Sequence, residues 1–163
     1  MSQISAAQYF LQLAGAPGEA DVDPHKKWVS LLEFGWGGAA QSTVASTSGS
    51  SGVPITMYPM NAVGFLDTGM SKIGELFTIG KPVATATLAA MKGGGTEDYL
   101  IVKLTEVLIT SYNVSCSGEA AVVNLSFTYA TIAIQYKAQG ATGDLEAASS
   151  YSFNVTQRKV SSI

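Results

Sequence analysis

Most of the chain consists of segments in which apolar and polar side chains alternate, and this period of two is typical of β-strands. Residues 28–36 are the clearest case, because alternate positions place Trp28, Ser30, Leu32, Phe34 and Trp36 on one face. On the same grounds the sequence predicts strands over 9–14, 28–36, 55–58, 82–91, 99–112, 122–136 and 150–158. The chain is therefore predicted to be mainly β.

Two features of the second half predict how these strands connect. Gly93-Gly94-Gly95 is expected to form a hairpin turn, and residues 113–119 are expected to form another. Within 122–136 the alternation shifts by one residue near Ala130–Thr131, which predicts a bulge or a sharp bend. A strand that bends in this way suits a barrel that packs against neighbours.

One helix is predicted, over residues 65–79. Its apolar residues recur at helical spacing, at Met70, Ile73, Leu76 and Phe77. Asp67, Thr68 or Ser71 is expected to cap its first turn. Gly80 stands where a glycine would end the helix.

A stretch rich in Gly, Ser and Ala covers residues 37–54, and no charged residue occurs between Glu33 and Asp67. Its composition predicts a long flexible loop. Long loops inside a domain are uncommon and often functional. We interpret this one as an arm that orders against a neighbouring subunit; the alternative is a disordered insertion.

Composition favours a self-associating protein. The 163 residues are 47% hydrophobic and only 13% charged, against about 25% charged residues in a typical soluble domain. So low a charge predicts that much of the surface is covered by other copies. The net charge of −3, with scattered basic residues, argues against nucleic acid as a partner. No apolar run is long enough for a transmembrane helix, so membrane insertion is not expected.

Residues that commonly carry chemistry do not form a convergent set. His25 is the only histidine, and Cys116 is the only cysteine, so no intrachain disulfide is possible. We expect His25 to be a hydrogen-bonded loop residue and Cys116 to be unactivated. The acidic loop of Glu19, Asp21 and Asp23 lacks the other ligands of a calcium loop. The sequence therefore predicts no enzyme activity, no cofactor and no metal.

Several pieces of sequence, in this order, resemble one family. Gly18-Glu19 is followed by an Asp/His loop, and Leu31 to Gly37 is a hydrophobic strand that ends in Trp-Gly. A Gly/Ser-rich loop comes next, and Phe65-Leu66-Asp67 precedes the predicted helix. Two long strands complete the pattern, the first over 99–109 and the second beginning at Val123 and ending at Tyr136. Across residues 8–158 the chain resembles the Hcp (haemolysin-coregulated) proteins, the inner tube of the type VI secretion system.

The resemblance implies two packed antiparallel sheets that form a β-barrel with one short α-helix, in a single domain over 1–163 with an extended loop at about 37–54. It also implies hexameric rings that stack into a tube, with a spike protein and a contractile sheath as partners and secreted effectors in the lumen. The protein would reside in the bacterial cytoplasm before firing and then leave the cell without a cleaved signal peptide. Two departures, Ala20 after Gly-Glu and Lys72 after Ser71, put the start of the helix in question.

Within such a tube we expect Glu33 and Gly35 to face the lumen or a neighbouring subunit. We expect the loop to contact the next ring, through residues that include Gly38, Gln41, Ser42, Val44, Ser48 and Gly52. Two alternatives remain open at this point. One is a phage-tail-tube-like structural protein; the other is a lectin-like β-sandwich in which Trp28, Trp36 and Tyr112 stack on sugars.

Overall fold

The computed structural model describes residues 8–40 and 53–162. It contains one helix, α1 (Thr68–Thr78), among the described residues. The strands are β1 (Gln8–Leu13), β2 (Val29–Gly35), β3 (Gly38–Ala40), β4 (Ile55–Met57), β5 (Met60–Phe65), β6 (Val83–Met91), β7 (Asp98–Ser117), β8 (Ala120–Thr128), β9 (Thr131–Gln139), β10 (Leu145–Asn154) and β11 (Lys159–Ser162). The mainly β prediction is confirmed.

Six of these strands close into an antiparallel barrel in the order β1-β2-β5-β8-β7-β6, because β6 hydrogen-bonds to both β7 and β1. Side chains that point inward from the strands, together with the buried face of α1, fill the core. The largest of those that are fully buried are Phe127, Leu11, Met60, Met70, Ile73, Leu88, Leu104, Leu125 and Ile132. Closure leaves few unpaired strand edges, and burial of these side chains provides the main driving force for folding.

Strand β7 is 20 residues long and links the barrel to a sheet that extends beyond it. Its first half pairs with β6 on one edge and with β9 on the other, whereas its second half pairs with β8. Strands β8 and β9 therefore follow the same edge of β7, one after the other. Glu106 has a φ of +51° where β7 passes from one partner to the next.

The predicted irregularity near Ala130–Thr131 is confirmed, since β8 ends at Thr128 and β9 begins at Thr131. Three hydrogen bonds fix the two intervening residues, Tyr129 and Ala130. The Ala130 amide donates to the Thr105 carbonyl at 3.0 Å, and the Ala130 carbonyl accepts from the Val155 amide at 2.8 Å. Burial raises the pKa of Tyr129, so its hydroxyl stays protonated and donates to the Tyr58 carbonyl at 3.0 Å.

Helix α1 begins three residues later than predicted, because residue 65 is the last residue of β5. The Asp67 side chain caps it, as one of the three predicted alternatives. The predicted end at Gly80 is confirmed by a φ of +63° there. The Gly80 amide donates to the Phe77 carbonyl and the Lys81 amide to the Leu76 carbonyl, the paired bonds of a Schellman motif.

Three other sequence predictions need correction, and one strand was missed. The predicted turn over 113–119 is mostly strand, since β7 continues to Ser117 and only two residues separate it from β8. The predicted last strand over 150–158 covers only the end of β10, because residues 155–158 form a turn and a further strand, β11, begins at Lys159. Strand β5 was not predicted at all. Finally, the predicted flexible loop begins as a strand, because Gly38 to Ala40 of β3 pair with Ile55 to Met57 of β4.

Candidate assembly surfaces

The two sequence pieces Gly18-Glu19 and Phe65-Leu66-Asp67 meet at one junction beside the barrel. The Asp67 Oδ1 accepts the Met70 amide at 2.7 Å, which caps the first turn of α1. The Asp67 Oδ2 accepts the Glu19 amide at 3.1 Å. One carboxylate therefore fixes both the start of the helix and the loop before β2. The resemblance in these pieces marks a structural junction rather than a catalytic group.

Two glycines allow the close approach at this junction. A Cβ atom on Gly18 would lie 2.4 Å from the Trp28 carbonyl oxygen, and a Cβ on Gly69 would lie 2.8 Å from the Gly18 Cα. Hydrogen bonds hold the contact together: the Gly18 amide donates to the Lys27 carbonyl at 2.8 Å, and the Ala20 amide donates to the Trp28 carbonyl at 2.9 Å. A residue larger than glycine does not fit at either position.

His25 is a buried, hydrogen-bonded residue, as expected, with only 2% of its surface exposed. Its Nε2 lies 2.7 Å from the Asp98 Oδ1, where β7 begins. Because an ionised carboxylate only accepts hydrogen bonds, Nε2 carries the proton. The ring stacks on Phe10 and makes an edge contact with Trp28, with centroids 4.5 Å and 4.4 Å apart. His25 thus ties the loop after β1 to the first residue of β7.

The other candidate chemical groups stay apart. Cys116 is exposed and lies on strand β7, not on the predicted turn. Asp23 forms an exposed ion pair with Lys26 at 3.1 Å. Among residues 8–40 and 53–162, no three His, Cys, Asp or Glu side chains are grouped as metal ligands.

The three aromatic side chains considered for sugar stacking contact different partners. Trp28 packs on His25, Trp36 stacks on Phe34 with centroids 6.3 Å apart, and Tyr112 stacks on Phe77 of α1 at 6.2 Å. Desolvation, with Asp67 adding to it, raises the pKa of Tyr112. Each of the three rings therefore packs within the protein: Trp28 against the loop before β2, Trp36 against β2, and Tyr112 against α1. No observation favours the lectin-like alternative.

The predicted faces of β2 need correction, because a bulge shifts its pairing with β5 between Leu31 and Glu33. Val29 and Leu31 point into the core, whereas Glu33 is exposed and Phe34 packs against the core. Gly35 is half-buried, and a Cβ there would meet nothing within 4 Å. Glu33 and Gly35 therefore lie where another molecule can reach them, and their proposed facing toward a lumen or neighbour stays a prediction.

Of the residues predicted to contact the next ring, the structure describes one. Gly38 is exposed at the start of β3 and pairs with Met57 of β4. Gln41, Ser42, Val44, Ser48 and Gly52 lie outside the described residues. The hairpin of β3 and β4 is a two-stranded sheet of its own, and it carries the ends of the Gly/Ser segment.

Large apolar side chains are exposed at several positions, including Ile79, Val53 and Tyr58, and two groups of them lie near the ends of β7. The sequence analysis did not single out either group. The first, which we call the tip surface, consists of Phe65, Leu66 and Val114, which are 51%, 44% and 45% exposed. Pairing aligns them: Phe65 lies opposite Val122 of β8, which lies opposite Ser115 of β7, next to Val114.

The second, which we call the extension surface, consists of Tyr136, Tyr151 and Val160 on β9, β10 and β11, which are 49%, 45% and 64% exposed. These three strands pair with the first half of β7, either directly or through one another. The two surfaces therefore lie toward opposite ends of the longest strand. Alternation within 150–158 could have indicated the second one, because apolar side chains of a sheet with only one covered face remain exposed on the other.

The chain forms a closed six-stranded barrel that is flanked by one capped helix and extended by an open-edged sheet. The described residues contain no reactive centre. These features define a structural class of small β-barrel proteins. The family model for "Type VI secretion system effector, Hcp" matches residues 10–136. The chain belongs to the Hcp family of the type VI secretion system.

Individual relatives agree with this assignment. The protein hcp1 of Pseudomonas aeruginosa is 23% identical over 157 residues, which cover 93% of this chain and 97% of that protein. The crystal structure of Hcp1 from Salmonella typhimurium superposes with a TM-score of 0.79 at 20% identity, over 96% of this chain and 99% of that one. A structure described as a type six secretion system protein superposes with a TM-score of 0.86 at 21% identity, over 96% and 100% of the two chains. The fold of the chain is therefore that of solved Hcp proteins.

Within the described residues, α1 is too short to cross a bilayer, and no longer apolar helix occurs.

Proposed function

We propose that this protein is a structural subunit of the type VI secretion tube, which assembles into hexameric rings that stack into a tube. The observation that carries the proposal is the pair of exposed apolar surfaces toward opposite ends of β7. An apolar surface of this kind on a soluble protein marks a contact with another molecule. Membership of the Hcp family supports the secretion system as the setting.

Two different surfaces on one chain favour ring formation over a simple dimer. When the tip surface of one copy contacts the extension surface of the next, every copy still has one surface of each kind unused. Such a heterologous contact closes into a ring or continues as a filament, depending on the rotation between copies. A specific contact of this kind buries roughly 1,200–2,000 Å² in total. Aromatic side chains such as Phe65 and Tyr151, of the type enriched in interfaces, supply part of that area.

Because the chain has few charged residues, association requires little desolvation of charged groups. Only 13% of the residues are charged, and a charge that becomes buried without a partner opposes association strongly. Glu33 and Gly35 are the residues that we propose face the lumen or a neighbour, where small effectors would be carried. The spike protein and the contractile sheath are the proposed partners of the assembled tube.

The first test is the size and symmetry of the purified protein. We expect the 16.9 kDa chain to elute from a size-exclusion column as a particle of about six copies. Negative-stain images are expected to show rings with six-fold symmetry. A protein that stays monomeric at high concentration would contradict the proposal, and so would a closed ring with a different number of subunits.

The segment between β3 and β4 is proposed to contact the next ring. Removal of residues 42–51, with both strands of the β3–β4 hairpin left in place, is expected to reduce the number of stacked tubes at least tenfold. Single rings should persist, because neither apolar surface includes this segment. Electron microscopy counts tubes and rings in the same sample, and the melting temperature reports whether the barrel is intact. Normal tube formation by the shortened protein would show that the segment is not a stacking contact.

A further inference from the structure

A cavity of about 520 Å³ lies beside the end of β1 and the start of β6. The turn that follows β1 forms one wall, and the last residues of the loop before β2 form another. Two adjacent lysines, Lys26 and Lys27, line this cavity, and so does the side-chain amide residue Gln12. None of the described Asp or Glu residues lines it. We call this cavity the lysine cavity.

The charge of the lysine cavity is opposite to that of the chain, whose net charge is −3. Lys26 forms an exposed ion pair with Asp23 at 3.1 Å, but an ammonium group has three protons to donate. Within residues 8–40 and 53–162, no carboxylate forms an ion pair with Lys27. A concave surface lined by one sign of charge attracts ions of the other sign. The lysine cavity therefore favours anions.

The backbone of Lys27 is held in a conformation that lysine rarely adopts. Its φ is +64°, in the left-handed region that favours glycine. The Lys27 amide donates to the Ala20 carbonyl at 2.8 Å, and the Lys27 carbonyl accepts from the Gly18 amide at 2.8 Å. Hydrogen bonds on both sides thus fix the backbone there, although glycine would adopt it without strain. Strained residues of this kind cluster at ligand sites, which points to a role for the ammonium group.

We propose that Lys26 and Lys27 form a binding site for an oxyanion, that is, a carboxylate or phosphate group. Both ammonium groups donate hydrogen bonds, and such bonds to an ionised acceptor are roughly twice as strong as neutral ones. The Gln12 amide is a further donor at the same cavity. The volume of the cavity lies within the range of small-molecule sites, roughly 300–1,000 Å³.

The oxyanion has two possible sources, a free anion or a carboxylate of another copy. A second cavity, of about 540 Å³, lies at the other end of β6, after Met91. It is lined by Glu97 and Asp144, together with Lys92. Copies that stack end to end would bring these carboxylates toward the lysine cavity of the next copy. The second source rests on the proposed tube, whereas the first does not.

The test for a free anion is a titration of the wild-type protein with inorganic phosphate, at an ionic strength held constant with sodium chloride. Phosphorus NMR line widths report binding of phosphate to the protein. Lys27→Gln removes the ammonium group and is expected to weaken binding at least about tenfold. Lys81→Gln is the matched control, because Lys81 is also exposed but lies outside the lysine cavity. This control should bind phosphate as the wild type does.

A second variant tests the role of the strained backbone. Lys27→Gly should lose phosphate binding as Lys27→Gln does, because it also lacks the ammonium group. Its melting temperature should be higher than that of Lys27→Gln, since glycine adopts the left-handed conformation without strain. A lower melting temperature for Lys27→Gly would contradict the argument from strain.

The outcomes assign the source and separate this inference from the proposed function. Phosphate binding that Lys27→Gln loses and Lys81→Gln keeps would assign a free oxyanion, even in a protein that forms no tubes. If phosphate does not bind, an equal loss of stacked tubes in Lys27→Gln and in the double variant Glu97→Gln with Asp144→Asn would assign the carboxylates of another copy. Phosphate binding that Lys27→Gln keeps would overturn the inference. So would the absence of phosphate binding in a protein whose stacking does not need both sets of residues.

Discussion

Replacement of Gly18 by alanine is expected to lower the free energy of unfolding by about 3 kcal/mol, the upper part of the usual range for overpacking. The added Cβ would lie 2.4 Å from the Trp28 carbonyl oxygen and 2.7 Å from the Val29 Cα. Both atoms belong to the backbone, so no side-chain rotation can relieve the contact. The loop must move away, and the Gly18–Lys27 hydrogen bond of 2.8 Å would be strained with it.

Gly35→Ala is the matched control, because the same added Cβ would meet nothing within 4 Å at that position. Its expected change is within about 0.5 kcal/mol, the usual range for surface substitutions. Both variants are compared with the wild type by urea denaturation of the dilute protein, monitored by tryptophan fluorescence. Equal midpoints for Gly18→Ala and the wild type would show that the loop tolerates displacement here.

Asp98→Ala is expected to destabilise the protein by about 3 kcal/mol, since removal of one partner of a buried polar pair leaves the other without compensation. The partner is His25, whose side chain is 3% exposed, while that of Asp98 is 12% exposed. The other ring nitrogen, Nδ1, is buried and has no hydrogen-bond partner among the described residues. Loss of Asp98 would leave both nitrogens of the ring unsatisfied.

A double-mutant cycle separates the pair from general packing. His25→Phe keeps a ring of similar shape between Phe10 and Trp28 while it removes both ring nitrogens. The double variant of His25→Phe with Asp98→Ala should be less destabilised than Asp98→Ala alone, with a coupling of at least about 1 kcal/mol. Thermal and urea denaturation give the four free energies. Simple additivity of the two changes would mean that the 2.7 Å contact contributes nothing to stability.

Most strands could be predicted from sequence because their inward positions carry large apolar side chains. Strand β5 escaped prediction because its pattern is inverted: inward positions hold Ala62 and Gly64, while the larger Val63 and Phe65 point away from the core. Gly64 must be small, since a Cβ there would lie 2.8 Å from the methyl carbon of Met70. Binary patterning cannot detect a strand whose small residues face a close neighbour.

The distal part of β7 was not predicted to be a strand, for a different reason. Residues 113–117 contact no core and are held by backbone pairing with β8 alone, so nothing in their side chains distinguishes strand from turn. The bulge in β2 likewise leaves no local trace, because it depends on the register against β5.

The roles of candidate residues could be predicted where those roles depend on neighbours in the sequence. The isolated His25 indicated a structural role, and Asp67 was one of three possible helix caps. Its second contact, with the Glu19 amide, joins residues 48 positions apart and could not be read from spacing. The two apolar surfaces also depend on which strands lie side by side, which only the fold determines.

Strand β7 is hydrogen-bonded to β6 and β8 in the barrel and to β9 in the extension. The barrel and the extension therefore share this strand. Detachment of β9 would expose the edge of β7 at Val102 and Leu104, which pair with β9. The barrel wall, which includes this part of β7, would be weakened. We therefore expect the barrel and β9 to unfold together, whereas β11, which pairs with β10 alone, can detach without exposing β7.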